Sequence, residues 1–333
     1  MQPELDCILI TAIAHLLKVI LMSQVNHQFI QLDSVDDHII LHIHLWPVEG
    51  ATGWVHIMHG MSEHGGRYGD LAKALNDAGF NVSADDHRGH GLTGKETDSV
   101  GHLANHNGWD KMVSDQAQII THLQLQWTQP LVILGHSMGS FLATRVVQRY
   151  AKKLSSQLQG LVLSGSNYSP PWLFRIASVI ASFEKWRQGP LGQSQMLDAL
   201  SFGSFNNNFK PLRTSKDWIS SDPKVVDAYI ADPLAGHGIS NQFWFDFLNG
   251  LAEMSEPDSM AQINNALPIY LFAGDKDPVG KQGKGVIALQ KALQRAGSKQ
   301  VECCLYPNGR HEMINEPNKQ QVISDLLDWL SKR

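Results

Sequence analysis

The segment GHSMG, residues 135–139, places Ser137 between two glycines directly after the apolar run LVIL. A strand that turns this sharply into a helix forces the middle residue into a strained conformation, and side chains at Gly135 and Gly139 would clash there. Such a turn exposes the serine hydroxyl at the end of a buried strand. It also aims the N–H groups of the helix start at whatever the serine attacks. The pattern therefore indicates a nucleophile.

A serine hydroxyl needs a general base and an acid that orients the base. When the nucleophile sits on a strand–turn–helix, the acid precedes the base in the chain and each follows a strand. Asp275 and Asp277 follow the apolar run YLFAG, and His311 follows the strand-like run VECCLY. The order predicts catalysis by Ser137, one of the two aspartates and His311.

The attack of a serine on a carbonyl also creates an oxyanion, which needs two N–H donors. The amide after the nucleophile, that of Met138, supplies the first. We expect the second from Met61, because it follows the apolar run GWVHIM and Gly60 permits close approach of the backbone.

The positions of these residues predict an α/β fold with a mostly parallel, doubly wound sheet. From residue 38 to residue 166, strand-like runs of apolar residues alternate with helical patterns. This alternation stops between about residues 167 and 262, which contain seven prolines, and resumes after them. We therefore expect a core made of residues 28–166 and 263–333, and an inserted, mainly helical cap, or lid, at 167–262.

The composition of the chain argues against several classes of function. The 333 residues are 43% hydrophobic and 18% charged, with a formal net charge of −5. A chain without clustered lysine and arginine is not expected to bind nucleic acid. Three cysteines cannot form a disulfide framework, and neither they nor the 16 histidines show the spacing of a metal site. We expect no metal and no cofactor.

The first 27 residues form an apolar segment with three open interpretations. LDCILITAIAHLLKVILM, residues 5–22, contains Asp6, His15 and Lys18, and it lacks the leading positive charge of a signal peptide. It is either an amphipathic or packing helix, or a membrane anchor, or a stretch before a true start at Met22. A cytoplasmic protein is expected, with contact to a membrane surface through this segment as an open alternative; the oligomeric state is not indicated.

Five segments together resemble the α/β-hydrolases of the monoacylglycerol lipase and lysophospholipase type, a branch sometimes grouped with serine aminopeptidases. They are HGMSEHGGRYGDLAKALNDAGFNV, DDHRGHGLTG, GHSMGS, GDKDPV and GRHEMINE, and the resemblance extends from about residue 28 to 332, more loosely in the cap. It implies Ser137 as nucleophile, His311 as base and Asp277 as acid, since the acid of this family stands just before Pro-Val. Met61 and Met138 match its oxyanion positions. Ser140 departs from the pattern, where glycine is commoner.

The resemblance and the cap together suggest the substrate. Residues 167–262 hold 14 of the 27 aromatic residues, so an apolar entry to the nucleophile is expected. The candidate substrate contacts are His59, Tyr168, Trp172, Phe243 and Trp244. We expect hydrolysis of carboxylic esters resembling monoacylglycerols or lysophospholipids through an acyl-enzyme. The alternatives are a prolyl-type serine aminopeptidase, which needs a carboxylate in the cap, and a noncatalytic binding protein.

The loop that carries Met61, called here the oxyanion loop, contains one pair of opposite charges. Glu63 and Arg67 are four residues apart in SEHGGRY, the spacing of an ion pair on a helical turn. We expect them to brace this loop. The DHRGHG run around Asp86 and Arg88 is expected to be structural.

Overall fold

Strands from both ends of the chain meet in one sheet in the computed structural model, which describes residues 26–154 and 157–333. In chain order they are β1 (Gln28–Asp33), β2 (Ile40–Trp46), β3 (Gly53–Met58), β4 (Phe80–Asp86), β5 (Leu131–His136), β6 (Leu158–Ser164), β7 (Ile269–Gly274) and β8 (Val301–Tyr306). Their order across the sheet is β1-β2-β4-β3-β5-β6-β7-β8. β2 is antiparallel to β1 and β4, and the remaining neighbours are parallel. The predicted α/β fold with a mostly parallel sheet is confirmed.

Helices of the core connect these strands, as parallel pairing requires. They are α1 (Gly69–Asp77), α2 (Gly91–Glu96), α3 (Gly108–Leu123), α4 (Met138–Leu154), α10 (Lys284–Arg295) and α11 (Lys319–Leu330). Short 3-10 helices occur at Gly65–Tyr68, Phe205–Asn208 and Met313–Asn315. α1 ends just before Gly79, whose φ of +85° is the left-handed conformation that closes a helix.

The alternation of side chains along β5 shows that both faces of the sheet are buried. Leu131 and Ile133 belong to the apolar cluster that contains α3, α4 and α10, whereas Val132 and Leu134 belong to the cluster that contains α1 and α11. Burying each such side chain contributes about 1.5–3 kcal/mol. The middle of the sheet is therefore a rigid support for the loops that follow its strands.

Between β6 and β7 the chain forms five further helices within the described residues. They are α5 (Pro171–Gln188), α6 (Gln195–Ser201), α7 (Pro223–Ala231), α8 (Asn241–Met254) and α9 (Pro257–Met260). α5 packs on α8, and α8 packs on α3 and α4. The boundaries 167–262 of the inserted cap stay a prediction, and the inner face of α8 joins the apolar cluster of the core.

Two features lie at the N-terminal end. β1 is an edge strand that the sequence patterns did not indicate, since its residues are mostly exposed. The apolar segment 1–27 falls almost wholly outside the described residues, and so do its three interpretations. In residues 26–154 and 157–333, no helix combines the length and the apolar character needed to span a bilayer.

Candidate active site

Ser137 occupies the sharp turn between β5 and α4. Its φ is +52°, in the left-handed region that a non-glycine residue adopts only at a cost. A Cβ at Gly135 would lie 2.2 Å from the carbonyl oxygen of Gly139, and a Cβ at Gly139 would lie 2.0 Å from the carbonyl oxygen of Met58. Both glycines are therefore required for the turn, as the sequence indicates. The Ser137 N–H donates to the carbonyl of Ser164 on β6, 2.9 Å away, and anchors the turn to the sheet.

His311 and Asp277 form a buried pair at the same edge of the sheet. Nδ1 of His311 lies 3.0 Å from Oδ1 of Asp277, and an ionised carboxylate only accepts, so this nitrogen carries the proton. The same Asp277 oxygen accepts the N–H of Val279 at 2.8 Å. Asp277 follows β7 and His311 follows β8. Each strand thus carries one member of the pair to the carboxyl edge, with Nε2 of the imidazole left for another partner.

Burial alone would lower the pKa of His311, but the Asp277 carboxylate next to it outweighs burial, with smaller contributions from Glu312 and Glu63. The result is a pKa above the ordinary value for histidine. An imidazole in this setting holds a transferred proton well, which is what a general base must do.

Asp275, the other aspartate after β7, has a different task. Its carboxylate accepts the N–H of Asn308 at 2.8 Å, and its own N–H donates to Tyr306 at 3.0 Å. These bonds hold the two loops after β7 and β8 together. The structure brings Asp277, and not Asp275, into contact with His311.

One cavity contains both Ser137 and His311. Its wall consists of Gly60, Met61, Ser62, Glu63, His136, Ser137, Asp198, Phe202, Lys216, Trp218, Ile219, Tyr229, Gly236, His237, Gly238, His311 and Glu312. The His311 ring fits closely there: a Cβ at Gly165, just after β6, would lie 2.9 Å from Cε1 of that ring. The geometry thus brings together a serine, an imidazole oriented by a carboxylate and a space that both of them border, an arrangement that could support nucleophilic catalysis.

The two predicted oxyanion donors flank Ser137. Met61 lines the cavity, and Met138 is the buried first residue of α4, whose leading N–H groups lack intrahelical acceptors. A Cβ at Gly60 would lie 3.2 Å from Cβ of Ser137. The absence of a side chain at Gly60 therefore lets the Met61 loop approach the nucleophile.

A charged network holds this loop against the loop of the base. The Glu63 carboxylate accepts the Gly60 N–H at 2.5 Å, the Tyr68 O–H at 3.0 Å and an Arg67 N–H at 2.5 Å. Arg67 also donates two bonds of 2.9 Å to Glu312, the neighbour of His311. The predicted contact between Glu63 and Arg67 is confirmed, whereas Glu312 was not foreseen, because nothing in the sequence relates positions so far apart. Although burial lowers the pKa of Arg67, the two carboxylates raise it well above its ordinary value.

The five predicted substrate contacts are absent from the wall of the cavity. His59 is buried beneath the Met61 loop, where Nδ1 bonds the Gly60 carbonyl at 2.7 Å and Nε2 accepts the His87 N–H at 3.0 Å. Phe243 and Trp244 lie on the core-facing side of α8, Trp172 is 57% exposed on α5, and Tyr168 lines a separate surface depression. Direct contact of these five residues with the substrate therefore stays a prediction; helix packing buries Phe243 and Trp244, which composition alone had suggested for the cavity.

The cap contributes other residues to the wall, from α6, α7 and the irregular segments between the cap helices. The Trp218 ring lies 5.0 Å from the His311 ring, and the Ile219 carbonyl accepts the Glu312 N–H at 2.8 Å. Phe202 and Tyr229 add aromatic surface. Residues 215–221 have no hydrophobic periodicity, so no sequence signal could have placed them over the base.

The DHRGHG run is structural, as expected. Arg88 is fully buried and binds Asp115 at 2.7 Å and Asp37 at 3.0 Å. Asp86 lies within 4.8 Å of His44 and His64, a grouping that could hold a metal ion. However, its two carboxylate oxygens accept the N–H groups of Gly65 and Leu92, so we assign Asp86 to holding these loops.

Comparison with known proteins is consistent with this geometry. The family model described as serine aminopeptidase, S33, matches residues 49–318. A monoacylglycerol lipase of Mycolicibacterium smegmatis is 30% identical over 286 residues, covering 85% of this chain and 90% of the relative. A thermostable carboxyl esterase of Bacillus coagulans, solved with glycerol, has a TM-score of 0.84 at 26% identity, over 92% of this chain and 98% of the other. A structure described as a lipase in its open form has a TM-score of 0.80 at 30% identity, with the same coverage. The chain therefore belongs to the serine aminopeptidase S33 family and is a hydrolase enzyme of the monoacylglycerol lipase type.

Proposed function

We propose that the protein hydrolyses carboxylic esters resembling monoacylglycerols or lysophospholipids through an acyl-enzyme on Ser137. The observation that carries this proposal is the buried 3.0 Å bond between His311 and Asp277 beside the cavity that Ser137 borders. The names of the relatives, a monoacylglycerol lipase and a carboxyl esterase among them, support the choice of an ester.

The reaction proceeds in two halves. Nε2 of His311 accepts the Ser137 Oγ proton while the oxygen attacks the ester carbonyl, and the N–H groups of Met61 and Met138 stabilise the oxyanion. His311 then protonates the leaving alcohol, and the acyl group remains on Ser137. In the second half, His311 deprotonates a water that attacks the acyl-enzyme, and it then returns this proton to Ser137 Oγ as the carboxylic acid is released.

The walls of the cavity favour an ester with apolar surface next to its carbonyl. Phe202, Trp218, Ile219 and Tyr229 present aromatic and aliphatic surface next to the reacting groups. Each methylene that such surface removes from water contributes about 0.8 kcal/mol. We infer that kcat/KM rises with the number of apolar carbons of the ester that these walls cover.

The outer face of α5 suggests how a lipid ester reaches the site. Trp172, Ile176, Val179, Phe183 and Trp186 are 52–80% exposed, and their spacing of four, three, four and three residues places them on one face. An apolar stripe of this kind, with a tryptophan at each end, suits the interface of a lipid bilayer. We propose that this face of the cap, rather than the N-terminal segment alone, contacts a membrane surface.

Binding to vesicles tests this proposal. Replacing Val179 and Phe183 by serine should lower cosedimentation with phosphatidylcholine vesicles several-fold, while hydrolysis of a short soluble ester continues. Unchanged sedimentation would contradict membrane contact, and a change from dimer to monomer would instead assign the stripe to self-association.

A prolyl-type aminopeptidase remains the second candidate because one carboxylate of the cap lines the cavity. Asp198 lies on its wall, where it could hold a free amine. Glu184 and Asp246, two further carboxylates of the cap, are bound to partners in the cap such as Arg187 and Gln242. Asp198 is therefore the residue on which an aminopeptidase would depend.

A single assay separates the two activities. p-Nitrophenyl esters of graded chain length are compared with proline p-nitroanilide, with Ser137→Ala as the blank for each. We expect ester turnover that the blank lacks. Preference for the anilide, lost in Asp198→Asn, would establish the aminopeptidase, and no turnover of either compound would favour a binding protein.

A further inference from the structure

Lys216 gives the wall of the catalytic cavity a cationic group that the proposed chemistry does not use. It belongs to the irregular segment between α6 and α7, and no other lysine or arginine is found among the residues that line this cavity in the described part of the chain.

The ammonium group of Lys216 lies between two aromatic rings. Nζ is 5.7 Å from the centre of the Phe202 ring and 5.9 Å from the centre of the Tyr229 ring, both near the outer limit of a cation–π contact. The side chain is half-buried, and burial lowers its pKa while Asp198 raises it.

No carboxylate of residues 26–154 or 157–333 lies within 4.0 Å of this ammonium group. Asp198 acts on it from a greater distance. The two buried acids of the same cavity, Glu63 and Glu312, are both bound to Arg67. A half-buried cation without a close counterion has lost hydration that an anion would replace.

The position of Lys216 relative to the base indicates which part of the substrate it would meet. Two residues further along the chain, the centre of the Trp218 ring lies 5.0 Å from that of the His311 ring at a tilted angle, and the Ile219 carbonyl accepts the Glu312 N–H. The segment that carries Lys216 thus covers the side of the site on which His311 stands. Because His311 must protonate the departing alcohol, the alcohol leaves on this side.

We propose that Lys216 binds an anionic group, a phosphate or a carboxylate, on the alcohol portion of the substrate ester. A charge-assisted hydrogen bond to an ammonium group is stronger than a neutral one and does not require a planar ligand, so both anions fit. The inference rests on the proposed ester hydrolysis at Ser137 and adds selection for a charged alcohol. Lysophospholipid-like esters would then be preferred over neutral monoacylglycerols.

Three octanoyl esters with the same acyl group test the proposal: octanoyl glycerol, octanoyl glycerol 3-phosphate and octanoyl glycerate. The wild type should show higher kcat/KM for at least one anionic ester than for the neutral one. Lys216→Met should lower the anionic-to-neutral ratio about 10-fold, the effect of losing one charged hydrogen bond. Lys216→Arg should restore most of the ratio. Raising the salt concentration should reduce the ratio in the wild type but hardly in Lys216→Met.

Lys224→Met is the matched control, because Lys224 is an exposed lysine of α7 outside the cavity. The anionic-to-neutral ratio of kcat/KM in this variant should equal that of the wild type. An unchanged ratio in Lys216→Met, or a wild type that cleaves octanoyl glycerol in preference to both anionic esters, would overturn the role of Lys216 and leave ester hydrolysis intact. Failure to cleave any of the three esters would contradict the proposed function itself. Which anionic ester responds to the substitution distinguishes phosphate from carboxylate.

Discussion

Arg67 donates two hydrogen bonds of 2.9 Å to Glu312, which directly follows His311 in the chain. The same guanidinium binds Glu63 on the loop that carries Met61. One side chain therefore ties the expected oxyanion loop to the loop of the expected base. Such a connection fixes the distance between the groups that must act on one carbonyl, and errors of about 1 Å in this distance are costly.

Arg67→Met should damage both stability and activity. The change leaves two buried carboxylates without their common cation, which costs about 3–5 kcal/mol when a buried pair is broken. We expect a lower denaturation midpoint in guanidinium chloride and a kcat reduced more than KM is raised. Lys73→Met is the control, since Lys73 and Asp77 form an exposed pair on α1 worth about 0.3–0.5 kcal/mol. Equal effects of the two substitutions would argue against the brace.

Asp277→Asn should lower kcat by about 10³–10⁴-fold, because an amide at this position favours the wrong tautomer of the imidazole. Asp275→Asn should lower kcat only a few-fold, since an amide oxygen can still accept the bond from Asn308. Steady-state kinetics on a p-nitrophenyl ester compares the two variants. A larger loss in Asp275→Asn would reverse the assignment of the acid.

Ser137→Gly should yield a more stable but inactive protein. Glycine adopts the φ of +52° without the steric cost that serine bears, and relief of such strain is worth about 1 kcal/mol. Ser140→Gly, the same change in the first turn of α4, should be destabilising, because it removes the bond from Ser140 Oγ to the Ser137 carbonyl and places glycine in a helix. Thermal unfolding of both variants measures the difference, and a loss of stability in Ser137→Gly would show that the turn is not strained.

The pH dependence of kcat/KM should reflect the raised pKa of His311. The base acts only when it is neutral, so activity falls as pH decreases through this pKa, and the acid limb should lie above about pH 6.5. Glu312→Gln removes a negative charge that raises this pKa and should shift the limb to lower pH. Glu302→Gln, on the exposed side of β8, should leave the limb unchanged. A limb below pH 6 in the wild type would contradict the electrostatic account.

Stability should decrease in mild acid because several histidines are buried in the neutral form. Burial, followed by the nearby His311, lowers the pKa of His136 to about 4, and burial lowers the pKa values of His59 and His90 well below their ordinary value. Unfolded histidines bind protons from about pH 6.5 downward whereas these do not, so the free energy of unfolding falls between about pH 6.5 and 4.

Urea unfolding at pH 7.5, 6 and 5 measures this loss. His90→Phe removes one of these buried titratable groups and should therefore reduce the slope of stability against pH. A phenyl ring suits this position because His90 lies against Phe243. His106→Phe, at an exposed position, should retain the wild-type slope. A wild type whose stability is constant over this range would show that the buried histidines are hydrated.

Local chemistry made much of the fold and of the expected catalytic groups predictable from the sequence. The helix over Met138–Leu154, the strand before it and the glycines around Ser137 follow from hydrophobic periodicity and from steric limits on a tight turn, both of which act over a few residues. The positions of Asp277 and His311 after successive apolar runs could also be predicted, because the carboxyl ends of parallel strands lie at one edge of the sheet.

Only the tertiary structure decided what surrounds those groups. The aromatic side chains Phe243 and Trp244 pack into the core, while Lys216 and Trp218, in a segment without periodicity, reach the cavity. The bond from Arg67 to Glu312 joins positions 245 residues apart. Contacts of this kind depend on how packing places the loops and on how charges are buried. No pattern along the chain indicates which side of a helix borders the cavity.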